Sequence, residues 1–557
     1  MSSTRHWLKS YPDAVSDEID ADAYRSIVEL FEIACLKFQS RPAFSSFGKT
    51  ISYGELDELS RCFAAYLRSD LGLKKGDRVA IMLPNCLQYP VSLFGALRAG
   101  LTVVNVNPLY TPRELRHQLV DSGAVAIVVM DNYAGTLQQV MAETKVRYVV
   151  TTGLGDLLGL PKGLMVNFVV KHIRKLVPSY AIKGAVRFMS ALNTGGFHKL
   201  PTVPIAQDDI AFLQYTGGTT GVPMGAMLTH RNLVANMQQT FAWIVPAGLV
   251  PGEEVAVTAL PLYHVYALTT HLLMMMRLGG LNHLITDPRD MSSLVREITS
   301  IRFSLILGVN TLFNALLDAP GFDRVDFSGL KFCFGGGASI HRGVAERWLA
   351  RTGRPIVEGY GLTEASPIVS INTTNLMDHK GSIGLPVPST DVCIKGEDGR
   401  VLPIGEVGEL CVKGPQVMRG YWKQPEATAR AIDSEGWLHT GDMARFDEAG
   451  LLYLVDRKKD MILVSGFNVY PNEVEDVIAR MPGVKEVAAL GVPSPKSGEA
   501  VKIVVVRRDA SLTEADIKSY ARANLTGYKR PHLVEFRDEL PKSNVGKILR
   551  RELRSGS

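Results

Sequence analysis

Cysteine is scarce in this 557-residue chain, and its placement excludes more than its number does. Cys35, Cys62, Cys86, Cys333, Cys393 and Cys411 never form a C-x-x-C pair. Neither a disulfide framework nor a cysteine-ligated zinc module is expected, and a reducing compartment fits. Long uninterrupted apolar runs are missing too. The most apolar window, residues 257–278, holds Pro261, His264, His271 and Arg277, so it reads as a buried segment rather than a membrane span. The polar N-terminal stretch lacks the apolar core of a secretory signal, which points to the cytoplasm. A net charge of +5 is small for this length. It permits an anionic ligand or a membrane surface and gives no reason to expect nucleic acid. Repeats and low-complexity tracts are absent.

What is present is an ordinary globular composition, 46% hydrophobic and 21% charged, on a chain too long for one core. Two or more domains are expected. One stretch stands out: Tyr215-Thr216-Gly217-Gly218-Thr219-Thr220-Gly221-Val222-Pro223-Met224-Gly225, after a short apolar run that reads as a buried strand. Its glycines let successive backbone N–H groups turn towards one anion, and its threonines add hydroxyls. A polyphosphate is the expected guest. No Gly-Lys-Ser/Thr follows at the required spacing, so this is not a Walker A loop.

Around it, strands and helices alternate. A helix is expected over residues 26–38, and another opens at Ser52-Tyr53-Gly54-Glu55, with Leu56, Leu59, Phe63 and Leu67 at helical spacing. Apolar strands at 79–83, 103–106, 124–130 and 148–151 are separated by helical patterns at 89–99 and 112–121. This alternation argues for parallel sheets covered on both faces. Residues 166–177 read as a basic amphipathic helix. Val166, Val169, Ile173 and Val177 lie on one face; Lys171, His172, Arg174 and Lys175 lie on the other. Such a helix suits an anionic bilayer. Later strands run into Gly308-Val309-Asn310, Gly335-Gly336-Gly337-Ala338 and Glu358-Gly359-Tyr360-Gly361-Leu362-Thr363-Glu364. Ligands sit at such carboxyl ends in open α/β sheets. From about residue 387, short glycine-punctuated runs suggest an antiparallel subdomain. The charge cluster Asp456-Arg457-Lys458-Lys459-Asp460 marks a boundary, giving domains 1–455 and 456–557. The fold class is α/β: a large N-terminal domain of doubly covered sheets plus an antiparallel β subdomain, with a small α+β C-terminal domain on a hinge.

Five motifs carry a resemblance: 215–225 continuing into Ala226-Met227-Leu228-Thr229-His230-Arg231-Asn232; Tyr360-Gly361-Leu362-Thr363-Glu364; Gly436-Trp437-Leu438-His439-Thr440-Gly441-Asp442; Asp456-Arg457-Lys458-Lys459-Asp460; and Pro541-Lys542-Ser543-Asn544-Val545-Gly546-Lys547. In this order and spacing the chain resembles the adenylate-forming (acyl-activating) enzymes, and within them the bacterial long-chain fatty acyl-CoA synthetases, over nearly its whole length.

The resemblance implies a two-step ligation. A carboxylate attacks the α-phosphate of MgATP, and the acyl-adenylate then passes its acyl group to coenzyme A, with the small domain rotating between steps. It implies roles too. Thr216, Gly217, Gly218, Thr219, Thr220 and Gly221, opened by Tyr215, hold the β- and γ-phosphates. Thr219 and Glu364 hold Mg2+, a hydroxyl and a carboxylate suiting a hard cation. Tyr360 stacks on adenine, with Gly337, Ala338 and Gly359 allowing close approach and Thr363 beside them. Asp442 accepts from both ribose hydroxyls and Arg457 adds a donor. Lys547 orients the carboxylate and α-phosphate for adenylation. Lys459 is the hinge, Gly466 lines the thiol tunnel, and His264 walls the acyl and nucleotide sites. Residues 257–278 and 303–317 are candidates for the acyl pocket, with Trp243 a candidate gate. Fatty acid and coenzyme A are the expected partners. A peripheral position at the inner face of the cytoplasmic membrane and a homodimer stay open.

One position departs from the family. Its loop carries a lysine before the last glycine, and this chain has Met224. A charge-assisted bond to polyphosphate, worth about 1.5–3 kcal/mol, is lost there. That departure keeps a poorly catalytic acyl or nucleotide sensor as an alternative. A ligase delivering acyl-adenylate to a carrier protein is another, and a luciferase-type oxygenase shares the motifs.

Overall fold

The computed structural model describes residues 5–216, 223–374, 381–457, 459–465, 467–494, 497–543 and 546–554. The alternating strands and helices form two large sheets. One runs, in spatial order, Val186–Arg187, Tyr148–Thr152, Ala126–Met130, Arg78–Met82, Thr102–Asn105, Ile210–Thr216 and Met224–Thr229. All its neighbours pair in parallel except the last, which returns antiparallel on Ile210–Thr216. The other has a parallel centre built from Pro42–Ser46, Leu281–Leu284, Val255–Thr258, Leu305–Gly308, Phe332–Gly335 and Ile356–Gly361, with antiparallel strands at both edges. Near-continuous apolar strands such as Ala126–Met130 are buried throughout, as parallel strands covered on both faces must be.

Local signals fix where helices begin. Ser52 and Glu55 exchange side-chain bonds with each other's backbone at the start of Tyr53–Ser69, and Thr111 with Glu114 does the same for Pro112–Ser122. The second of these helices ends on Gly123 at φ 63°, a left-handed turn that suits glycine. Residues 257–278 are buried but not one helix. The strand Val255–Thr258 is followed by a turn at His264, a short helix, a wide π-helical stretch Leu268–Leu273 and a final helix Met274–Leu278 closed by Gly279.

An antiparallel sheet follows: Asp391–Lys395, Gly408–Lys413, Leu438–Phe446 and Leu452–Arg457. Its last strand carries Asp456 and Arg457 opposite Met443 and Asp442. The sheets therefore separate at the turn after Arg457, just beyond the boundary expected at residue 455. The C-terminal part has its own sheet and its own apolar cluster around Ile462, Val474, Ile503 and Ile517. It docks back on the large part through Thr311, whose hydroxyl donates to the Gly546 carbonyl at 3.1 Å, and through an Arg508–Asp318 ion pair at 3.3 Å.

Residues 166–177 differ from the amphipathic helix expected. The helix is Lys162–Phe168 with a π-helical continuation Val169–Ile173, and Val177 lies beyond it.

Candidate active site

The site lies where the carboxyl ends of both large sheets face the small domain. A buried polar chain locks those ends together. Asn85 donates to the carbonyls of Thr258 and Leu260 and accepts from the Leu262 N–H, all at 2.9 Å. Tyr89 donates to Asn105 Oδ1 at 2.8 Å and to the Leu262 carbonyl at 2.9 Å. Gln214, just before the glycine–threonine loop, donates to the Tyr263 carbonyl at 2.8 Å. These bonds fix the turn that presents His264. None had a sequence signature, because a lone Asn or Gln at the end of an apolar strand resembles any other polar strand end.

His264 caps the short helix behind it, its Nδ1 accepting from the Tyr266 N–H at 3.3 Å. Burial, and then the charge of Lys547, hold its pKa down to about 4, so it is neutral at pH 7. Lys547 sits on a narrow turn closed by Ser543, whose N–H donates to the Lys547 carbonyl at 2.7 Å while its hydroxyl accepts from the Lys547 N–H at 3.1 Å. Burial, and then Arg457, lower the Lys547 ammonium to about 8. Three residues on, Arg550 grips both oxygens of Glu475 at 3.0 and 2.7 Å and reaches Asp456 at 3.4 Å. The lysine turn is thereby tied to the strand that leads into the hinge.

Asp442 and Arg457 face each other across the antiparallel sheet, 3.5 Å between Nε and Oδ1. The Tyr360 hydroxyl donates to the other Asp442 oxygen at 2.5 Å. Tyr360 is thus buried and fixed by the carboxylate expected to hold the ribose. Each carboxylate oxygen has a second lone pair, so Asp442 keeps acceptor capacity. Glu364 is partly buried and accepts from the Tyr421 hydroxyl at 2.7 Å; burial raises its pKa above the ordinary carboxylate value. A carboxylate held in so little water, with a neutral hydroxyl as its partner, fits a bound cation. Tyr421 is the site residue that sequence reading missed.

Three residues expected at the site, Tyr215, Gly359 and the candidate gate Trp243, make contacts within the protein itself. Tyr215 turns its side chain into an apolar cluster with Leu115, Leu119, Val129 and Leu213 and donates to Asp121 at 2.5 Å, so only its backbone leads into the loop. Gly359 owes its missing Cβ to the protein itself: a Cβ there would lie 2.4 Å from the Phe334 ring. Trp243 is buried, donating from its indole N–H to the Asn372 carbonyl at 2.9 Å with Tyr11 edge-on to its ring, which is the setting of a core residue. Gly337, at φ 76°, and Ala338 form an open turn after Phe332–Gly335, and Thr363 begins the turn that holds Glu364. Thr216 ends its strand opposite Met224, whose side chain packs on the main apolar core. Lys459 lies in the turn between the two parts of the chain. Gly217, Gly218, Thr219, Thr220, Gly221 and Gly466 lie outside the described residues.

A cationic lysine, a neutral histidine, a tyrosine-braced aspartate with an arginine, and a partly buried glutamate therefore meet at one rim. This fold and this site define an adenylate-forming ligase. The model for the AMP-binding enzyme matches residues 31–422, and that for the AMP-binding enzyme C-terminal domain matches 473–547. The chain belongs to the AMP-binding enzyme family. It is 58% identical to a long-chain-fatty-acid–CoA ligase of Escherichia coli O6:H1, over 98% of this chain and 97% of that one. Among solved structures, ATP-bound MatB from Rhodopseudomonas palustris superposes with a TM-score of 0.81 at 28% identity, covering 95% of this chain and 98% of that one. The anthranilate CoA ligase AuaEII in complex with anthranoyl-AMP superposes at 0.85 with 22% identity, covering 97% and 99%, a likeness of fold.

Proposed function

We infer that this chain is an AMP-forming long-chain fatty acid–CoA ligase. The observation that supports it best is the convergence of Lys547, His264, Asp442, Arg457 and Glu364 from five separate segments, in a chain so similar to that ligase. The fatty carboxylate attacks the α-phosphate of ATP, pyrophosphate leaves, and the coenzyme A thiol then displaces AMP. Lys547, cationic at neutral pH, holds the two anionic reactants together and offsets charge that builds in the transition state. Neutral His264 forms a wall that adds no competing charge. Asp442 and Arg457 orient the ribose. Glu364 and Thr219 are the residues that would hold Mg2+, which supplies charge neutralisation of the triphosphate. Turning about Lys459 carries Lys547 away and brings the segment around Gly466 to the site for the second step. The water-poor substrate is met at the inner face of the cytoplasmic membrane.

The test is pyrophosphate release from MgATP with palmitate, with and without coenzyme A, alongside detection of AMP and palmitoyl-CoA. Palmitate-dependent pyrophosphate, AMP and thioester in equal amounts is the expected result. Binding of ATP and palmitate without pyrophosphate would overturn the ligase reading.

A further inference from the structure

Tyr421 comes to the site from outside the five motifs. Its segment, residues 419–422, pairs with the strand that returns from the phosphate loop, Met224–Thr229. The Met227 N–H donates to the Gly420 carbonyl at 2.9 Å, the Arg419 N–H to the Met227 carbonyl at 3.0 Å, and the Trp422 N–H to the Gly225 carbonyl at 2.8 Å. The Tyr421 N–H donates to the Thr428 hydroxyl at 2.9 Å. The backbone is fixed by these bonds and the side chain by burial, with only 9% of the residue exposed. From this anchored place the phenol reaches Glu364 Oε1 at 2.7 Å. The return strand and the Glu364 carboxylate are thereby registered against each other through one rigid ring.

The turn that carries Glu364 is held from its other side too. Thr363–Ala365 closes on Ser366 at φ 71°, a left-handed conformation that costs a serine energy and persists where neighbours dictate it. Ser366 is fully buried, and its carbonyl accepts from the Thr269 hydroxyl at 2.6 Å. Thr269 lies on the buried π-helical stretch Leu268–Leu273. Its neighbour Thr270 donates to the Tyr266 carbonyl four residues back, the ordinary habit of a helical threonine. Thr269 instead leaves its own helix to grip the turn. Beyond Ser366, Asn236 takes both backbone groups of Ile368, accepting from its N–H at 3.0 Å and donating to its carbonyl at 2.8 Å.

We propose that Tyr421 and Thr269 are positioning residues: together they set where the Glu364 carboxylate stands, and so how tightly the site takes up the divalent cation that accompanies the nucleotide. This rests on the ligase reading, in which Glu364 is a cation residue. The phenol takes one lone pair of Oε1, so the carboxylate keeps acceptor positions for a cation. The same bond favours the charged carboxylate: burial pushes Glu364 up, and the Tyr421 hydroxyl pulls it back. Without that hydroxyl, a proton competes better with the cation. Thr269 acts one step further back. Removing its hydroxyl leaves the buried Ser366 carbonyl without that donor and lets the left-handed turn relax. Outer partners of this kind set metal affinity by about 10- to 100-fold.

The experiment measures Mn2+ binding to the full-length protein with α,β-methylene-ATP, whose α–β bridge is not cleaved, by water-proton relaxation. AMP binding in the presence of chelator is measured beside it. Tyr421→Phe and Thr269→Val are each expected to weaken Mn2+ binding by about tenfold or more, while Thr269→Ser binds like wild type. All three should bind AMP like wild type, showing that they fold. In a Glu364→Gln background neither Tyr421→Phe nor Thr269→Val should cost more than about twofold further, since the group they position is gone. Wild-type Mn2+ affinity in Tyr421→Phe or Thr269→Val would overturn the proposal for that residue. An equal loss of AMP affinity would overturn it as well, since the damage would then be general. The full loss repeated in the Glu364→Gln background would place the effect elsewhere, and wild-type Mn2+ affinity in Glu364→Gln itself would sink the idea outright. The assay uses neither acid nor thiol. A wild type that binds Mn2+ and nucleotide yet forms no palmitoyl-CoA counts against the ligase reading instead, and leaves the binding result standing.

Discussion

At the scale of the residue, Met224 is where this chain departs from its family, and the structure gives it a setting. It opens the return strand opposite Thr216 and packs on the main core, so a methionine there is well accommodated while offering the phosphates no cation. Met224→Lys should restore one charge-assisted bond and speed pyrophosphate release by about 10- to 100-fold, with thioester formation little changed. An unchanged burst rate would sink the idea. Lys547 makes a pH prediction. Its pKa is lowered to about 8, and the charged form is the working one. Acyl-adenylate formation should therefore hold below pH 8 and fall as pH rises through it. Lys547→Arg should be slower but flat over that range, and an identical alkaline fall in the arginine variant would assign the titration elsewhere. Gly359 tests packing against ligand approach. The Cβ of Gly359→Ala meets the Phe334 ring and should cost about 1–3 kcal/mol of stability, read by denaturant unfolding, with partial rescue by Phe334→Leu. Full stability would return this glycine to the nucleotide.

At the scale of the element, short-range signals were legible and their partners were not. The helices starting at Ser52 and Thr111 announce themselves by capping boxes, and the strands of the parallel sheets by apolar runs. The helix after residue 160 was visible as basic and amphipathic, but which side faced inward depended on Gly155 and Asn167. Those residues matter only through a contact that sequence does not display. The segment after Thr258 was legible as buried, yet the turn that leads to His264 is held by bonds that Asn85 and Tyr89 make to Leu262. Burial of histidines on such elements makes a prediction. His230 and His264 are held down to about 4 and His271 to about 3, in each case by burial first. An unfolded histidine binds its proton near pH 6.5, so the unfolded chain binds more protons between about 6.5 and 4. Stability should fall as pH drops through that window, seen as a declining unfolding midpoint. His230→Gln should make the decline shallower, and an equally steep profile would mean that other groups drive it.

At the scale of the whole molecule, the two parts are caught with Lys547 turned into the site, held by Thr311 at the tip and by Arg508 on Asp318 at the flank. The ion pair is solvent-exposed, so its worth is under about 1 kcal/mol. Asp318→Ala should slow adenylation by no more than about fivefold and leave thioester formation untouched, measured as separate half-reactions. Equal slowing of both would show that the contact does not discriminate between the poses. The sequence alone determined the fold class and the chemistry, because phosphate cradling, ribose binding and charge compensation each demand particular side chains in short local motifs. Tertiary structure decided what lies between those motifs. It joined Tyr360 to Asp442 and Tyr421 to Glu364, turned Tyr215 away into the core, and set an apolar helix face outward. Each of these depends on residues far apart in the chain meeting at a few ångströms, and linear spacing holds no record of such meetings.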